Sequence, residues 1–190
     1  MSGPEKGVDT DPDYAVVCGF LRRYGEALGL PPMSYAELQR ALEDTTRHKS
    51  SNDSLCVSVN PDLILMQVKL MRKIGKSVSS DKWERYLVKM CRQFSQIAAW
   101  EMEQGGYQEV DPNIKLKLLK YLCERQFDDN LKFRAEVLNK EEADEMREKP
   151  LGRDKNGMLY WYMQDADTNL HLYREEPDDQ YNSTWQVVCR

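Results

Sequence analysis

Pro150 divides this chain into two textures. Before it, apolar residues recur at spacings of three and four; after it, they alternate or cluster as aromatics between turn-forming residues. A helical stripe must be buried against other elements, and an alternating strand must have one face covered. The predicted fold is mainly α: a helical bundle followed by a small C-terminal antiparallel β-meander.

The helices can be placed from their ends. Residues 1–11 are rich in Gly, Pro and Asp and are predicted to be disordered. From Pro12, the residues Tyr14, Val17, Cys18, Leu21, Tyr24 and Leu28 keep helical spacing until Gly29. Ser34 with Glu37 three residues later is a capping-box signature for a second helix through Leu42. Residues 44–60 read as a polar, flexible connection. Asn60 and Pro61 suit an N-cap and first helical position, opening a helix to Ile74 that Gly75 stops. Ser80 or Asp81 is expected to cap one long helix to about Gln104. Its apolar stripe is Trp83, Leu87, Met90, Phe94, Ile97 and Ala98. A buried helix opens near Asp111 and Pro112, with shorter ones expected over 129–138 and 140–148. Past Pro150, strands are predicted at 158–163, 170–174 and 184–189.

Composition narrows the class. With 41% hydrophobic residues over 190, the chain can bury a core without staples. The five cysteines are odd in number and mostly fall in apolar helical patterns, which points to free thiols in a reducing compartment. No stretch has the roughly 18 apolar residues that span a bilayer, so no membrane is expected. The chain stops directly after a strand-like run, as a fragment of a longer protein would.

The net charge of −5 averages over unlike segments. Between residues 66 and 92, Lys69, Arg72, Lys73, Lys76, Lys82, Arg85, Lys89 and Arg92 face only Asp81 and Glu84. The first four recur at i, i+3, i+4 and i+7, on one side of one helix. The last four fall opposite the apolar stripe of the next. Such faces can be merely solvated, can bind phosphates by releasing counterions, or can meet an acidic protein surface. Nothing in them is arranged to read base edges.

Catalysis finds no foothold. His48 and His171 are the two histidines, and GxSxG, P-loop, HExxH and CxxC motifs are absent. No enzyme, cofactor or metal is expected. Asp165, Asp167, Asn169 and Glu176 mimic an EF-hand loop, but Leu170 stands where its sharp turn needs Gly, so a hairpin turn is favoured.

Three strings, KLMRKIGKSV (69–78), KYLCERQFDDNLKF (120–133) and LGRDKNGMLYWY (151–162), together resemble a known family. They are similar to the N-terminal DDT and WHIM region of the large regulatory subunits of remodelling-and-spacing-factor complexes, chromatin remodellers built on an ISWI-type ATPase. The resemblance implies a DDT-like bundle over 12–76, a WHIM-containing helical region over 77–150 and a β-meander with a Gly-x-Asp signature over 151–190. It implies a nuclear, non-catalytic scaffold that binds the ATPase subunit, linker or nucleosomal DNA, and histones. Gly152, Arg153 and Asp154 match the ATPase-contacting signature, although Asp154 equally suits the opening of a D-x-N-G turn. The family's basic position on its WHIM helix falls on Lys115, Lys117 or Lys120. The alternative is a protein-interaction module that binds no DNA.

Overall fold

Side-chain caps open the helices where the sequence places them in the computed structural model, which describes residues 7–44, 47–49, 55–57, 59–140, 146–165, 167–181 and 183–190. Helix α1 (Pro12–Tyr24) is capped by Asp11, whose carboxylate accepts the Asp13 N–H. Helix α2 (Tyr35–Glu43) begins at the full Ser34–Glu37 capping box. Asn60 accepts the N–H groups of Asp62 and Leu63 at the start of α3 (Pro61–Lys73). Gly75, at φ +82°, ends that helix: its own N–H donates to Arg72 O and that of Lys76 to Met71 O, a Schellman closure that needs left-handed backbone.

The long helix expected over 80–104 is two helices. Helix α4 (Trp83–Cys91) has no side-chain cap, and the chain turns at residues 92–94. Ser95 then caps α5 (Gln96–Gly105) by accepting the Ala98 N–H. The break redirects the apolar stripe, so Ala98 is buried while Phe94 and Ile97 are exposed. Ser95, a hydroxyl residue within a helical pattern, is the one sequence signal of this break.

Helix α6 (Pro112–Asp129) is the central strut, packing on α1, α2, α3, α4 and α7 (Leu131–Lys140). It buries Leu116, Leu118, Leu119, Leu122 and Cys123. Its Gln126, also buried, donates to Leu70 O of α3 at 3.1 Å and accepts from Asn130, so a polar side chain inside the core is satisfied on both ends. Phe20, Tyr24, Phe127 and Phe133 interlock with ring centroids 5.2–6.2 Å apart. Cys18, Cys91 and Cys123 are buried free thiols, whereas Cys189 is exposed.

Several expectations need correction. Residues 7–11 are ordered: Val8–Thr10 form a 3-10 turn with Val8 and Asp9 buried, and Asp9 pairs with Arg190 at the other end of the chain. Within 44–60, strands β1 (Arg47–Lys49) and β2 (Leu55–Val57) pair antiparallel, because Leu55, Cys56 and Val57 are β-prone despite their polar setting. Residues 1–6, and 141–145 within the helix expected over 140–148, lie outside the described residues.

The C-terminal sheet has four antiparallel strands in the order β3 (Gly152–Arg153), β4 (Leu159–Gln164), β5 (Leu170–Glu175) and β6 (Gln186–Cys189). The short β3 adds a strand to the expected three; it pairs Gly152 with Tyr160 and Arg153 with Leu159. Met163, His171 and Tyr173 are buried on the inner face. Asp165 closes the β4–β5 turn by accepting from the backbone of Asp167 and Asn169, as a plain hairpin turn requires.

Candidate nucleic-acid and partner interface

The eight cations on α3 and α4 are not equivalent. Lys69 and Arg72 are tethered to backbone, Lys69 half-buried and Arg72 still exposed: the Lys69 ammonium donates to the carbonyl of Gly29, and Arg72 Nε donates to Val78 O at 2.6 Å. These contacts tie α3 to the turn after α1 and to the segment that follows α3. Lys73 and Lys76 lie beyond them, exposed on the last turn and its exit. Cations there also complement the partial negative charge of the helix C-terminus.

On α4 and at its two ends, Lys82, Arg85, Lys89 and Arg92 are all exposed. Lys89 lies over the Tyr86 ring, 5.3 Å from its centroid. Arg92 pairs with Glu103 of α5. Between α4 and α5 runs an open concavity of about 430 Å³ that gathers Arg85, Lys89 and Arg92 with Glu84, Met102 and Glu103. Glu84 is occupied with the backbone N–H of Tyr107 and Glu103 with Arg92, so among the described residues this groove presents Arg85 and Lys89 as exposed cations that no salt bridge engages.

The three lysines that compete on α6 differ in burial and pairing. Lys115 is 1% exposed; its ammonium donates to Gln108 O at 3.1 Å and sits 5.5 Å from the Tyr107 ring centroid. Burial lowers its pKa, against the pull of Glu109 and Asp111. Lys120 pairs with Asp13 of α1 at 2.6 Å and with Glu124. Burial works against its charge, but those carboxylates raise its pKa overall. Lys117 is exposed.

Gly152, Arg153 and Asp154 follow one another at the sheet edge and into the β3–β4 turn. Gly152 and Arg153 are exposed, and a Cβ on Gly152 would meet nothing within 4 Å, so the fold itself places no demand for glycine there. Asp154 is different. Its Oδ1 accepts the N–H groups of Asn156 and Met158 at 2.8 and 3.0 Å, and its Oδ2 accepts the Tyr160 hydroxyl at 3.3 Å. Its own backbone exchanges hydrogen bonds with Met158 and Gly157, the latter at φ +86°. Asp154 thus holds the β3–β4 turn, as the D-x-N-G pattern suggests, and leaves Gly152 and Arg153 as the outward part of the signature.

Residues 92–138, covering α5, α6 and much of α7, match the WHIM1 family, the first motif shared by WSTF, Itc1p, MBD9 and related proteins. This stretch of the helical body is therefore a WHIM1 motif. Over 179 residues, 94% of its length, the chain is 50% identical to Remodeling and spacing factor 1 of Homo sapiens. The chain belongs to the family of that factor, and it spans 12% of that protein's length. No solved structure matches. No described helix is long and apolar enough to cross a membrane.

Proposed function

We propose that this chain is a non-catalytic regulatory and scaffold region of an ISWI-type chromatin remodeller in the nucleus. In this reading it binds the ATPase subunit and linker or nucleosomal DNA, with histones nearby, and so supports nucleosome assembly and spacing. The observation that carries DNA binding is the run of exposed cations from the end of α3 through α4: Lys73 on the last turn, Lys76 and Lys82 in the connection, and Arg85 and Lys89 on α4. Such a surface suits phosphates, whose neutralisation releases counterions whatever the base sequence. The similarity to a remodelling and spacing factor supplies the chromatin setting.

A salt-titrated mobility shift with duplex DNA tests this reading. Wild-type affinity should fall linearly on a log–log plot of binding against salt. Reversing Lys73, Lys76 and Arg85 to Glu should flatten the slope by roughly 0.9 for each phosphate no longer neutralised. An unchanged slope would remove these residues from the interface.

A second reading has its own observation. Lys69, Arg72 and Arg92 are engaged within the chain, which leaves a sparser positive surface than the sequence suggests. In that reading the cations meet an acidic protein surface, and no DNA binding is seen even at low salt.

A further inference from the structure

Helix α5 carries two apolar faces, and the core uses one. Ala98, Ala99 and Met102 are buried against the bundle. On the opposite side Ile97 is 73% exposed and Trp100 is 62% exposed, at i and i+3 on one ridge. Phe94, just before the helix, is also exposed and packs its ring 5.9 Å from Tyr121 of α6. Three exposed large apolar side chains thus fall within residues 94–100, a density that singly scattered exposed apolar residues do not reach. Trp is also among the side chains that most often dominate binding energy at protein interfaces.

Charge around the patch is asymmetric. On the flank towards α4, Arg92 reaches Glu103, and beyond that pair the groove exposes Arg85 and Lys89. On the other flank α5 carries Glu101, also exposed. Phosphate backbone would gain from Arg85 and Lys89 but would leave Ile97 and Trp100 against a charged rail. In an antiparallel pairing a second copy of this face would set its own cations beside those of the first.

We infer that the Phe94–Ile97–Trp100 face is a docking site for an amphipathic helix of a partner protein, whose apolar ridge covers Ile97 and Trp100 and whose acidic flank lies over Arg85 and Lys89. This is a helix-on-helix mode of recognition, with orientation set by charge. It shares Arg85 and Lys89 with the DNA-binding reading, adds an apolar anchor that phosphate does not use, and stands apart from the Gly152–Asp154 turn.

The test uses the full chain and three labelled synthetic peptides of about 18 residues, long enough to cover a helix of this size. One has a Leu ridge flanked by Glu, one the same ridge flanked by Lys, and one a scrambled ridge flanked by Glu. Fluorescence polarisation should show saturable binding of the first alone. Trp100→Ala should weaken it at least about tenfold, as loss of an interface anchor does. The double variant Arg85→Glu, Lys89→Glu should weaken it as well. Because Ile97 and Trp100 are exposed, Ile97→Ala and Trp100→Ala should leave the melting temperature unchanged, which keeps lost binding distinct from lost fold. No binding of the Glu-flanked peptide, equal binding of the Lys-flanked or scrambled peptide, or indifference to Trp100→Ala overturns the inference. So does a dimer in sedimentation that Trp100→Ala dissolves, which would assign the face to self-association. A weaker mobility shift with DNA for Trp100→Ala would assign it to nucleic acid instead.

Discussion

Tyr35 at the start of α2 stacks on His171 of β5, ring centroids 5.4 Å apart and planes 18° from parallel. The same residue donates its backbone N–H to Asp165 at 3.0 Å and its hydroxyl to Gln164 O at 3.1 Å. Tyr14 of α1 completes the seam, donating to Tyr35 O and meeting His171 edge-on. The sheet is thus fastened to the first two helices through one aromatic and its turn.

Asp165 joins the turn to the helix, so its removal should loosen both. Burial disfavours its charge, yet hydrogen bonds from Asn169, Tyr35 and Asp167 outweigh this and lower its pKa. Asp165→Ala should destabilise the chain by about 1–3 kcal/mol, the range for a lost hydrogen-bonded charge. A denaturant melt measures this. The depressed carboxyl pKa stabilises the fold above the ordinary Asp value, and this contribution is lost as pH falls through the folded-state value.

His171 titrates with the same sense for a different reason. Burial lowers its pKa, with Asp9 and Asp165 pulling it up and Arg190 pushing it further down. Its Nδ1 is buried without a hydrogen-bond partner among the described residues. A base whose folded pKa lies below its unfolded value of about 6.5 takes up a proton more readily when unfolded. Stability should therefore be full above about pH 6.5 and decline as pH falls towards the folded-state value. His171→Phe keeps the stack on Tyr35 and should flatten the profile between about pH 5 and 7 relative to wild type. Parallel denaturant melts across that range check the difference.

The Gly-x-Asp turn calls for two substitutions. Asp154→Ala removes the acceptor for two backbone N–H groups and should cost about 1–2 kcal/mol, so weakened association with an ISWI-type ATPase would be ambiguous on its own. Gly152→Ala meets no obstruction in the fold and should leave the melting temperature unchanged. A pull-down in which Gly152→Ala loses the ATPase would place the contact at the sheet edge; wild-type retention by this variant would remove Gly152 from it.

The lysines of α6 should separate by function. Lys117→Glu should leave thermal stability unaltered, and any effect should fall on binding. Lys120→Glu should lower stability by about 1 kcal/mol or more, because it sets a carboxylate against Asp13 in a half-buried pair. Lys115→Met fills the same space but takes the donor from Gln108 O, and should lower stability by about 1 kcal/mol. Thermal melts of the three variants, read beside their DNA mobility shifts, decide the assignment.

Local chemistry was legible in the sequence. Ser34 with Glu37, Asn60 with Pro61, and Asp111 with Pro112 start helices because their own side chains satisfy the first backbone N–H groups. Gly75 stops one because left-handed backbone is needed there, and Asp154 opens a turn using atoms within four residues. The order of helical bundle and meander likewise follows from a change of period at Pro150. Tertiary structure decided what no local pattern contains. Periodicity says which residues share a face of a helix, but not which face another element covers. Only packing shows that Lys69 and Arg72 are tied to backbone carbonyls, that Lys115 is buried beside Tyr107, and that the break before Ser95 leaves Ile97 and Trp100 facing water. The charge run was written in the sequence; which of its cations remain free to meet a partner was settled by carbonyls and carboxylates brought to them by the fold.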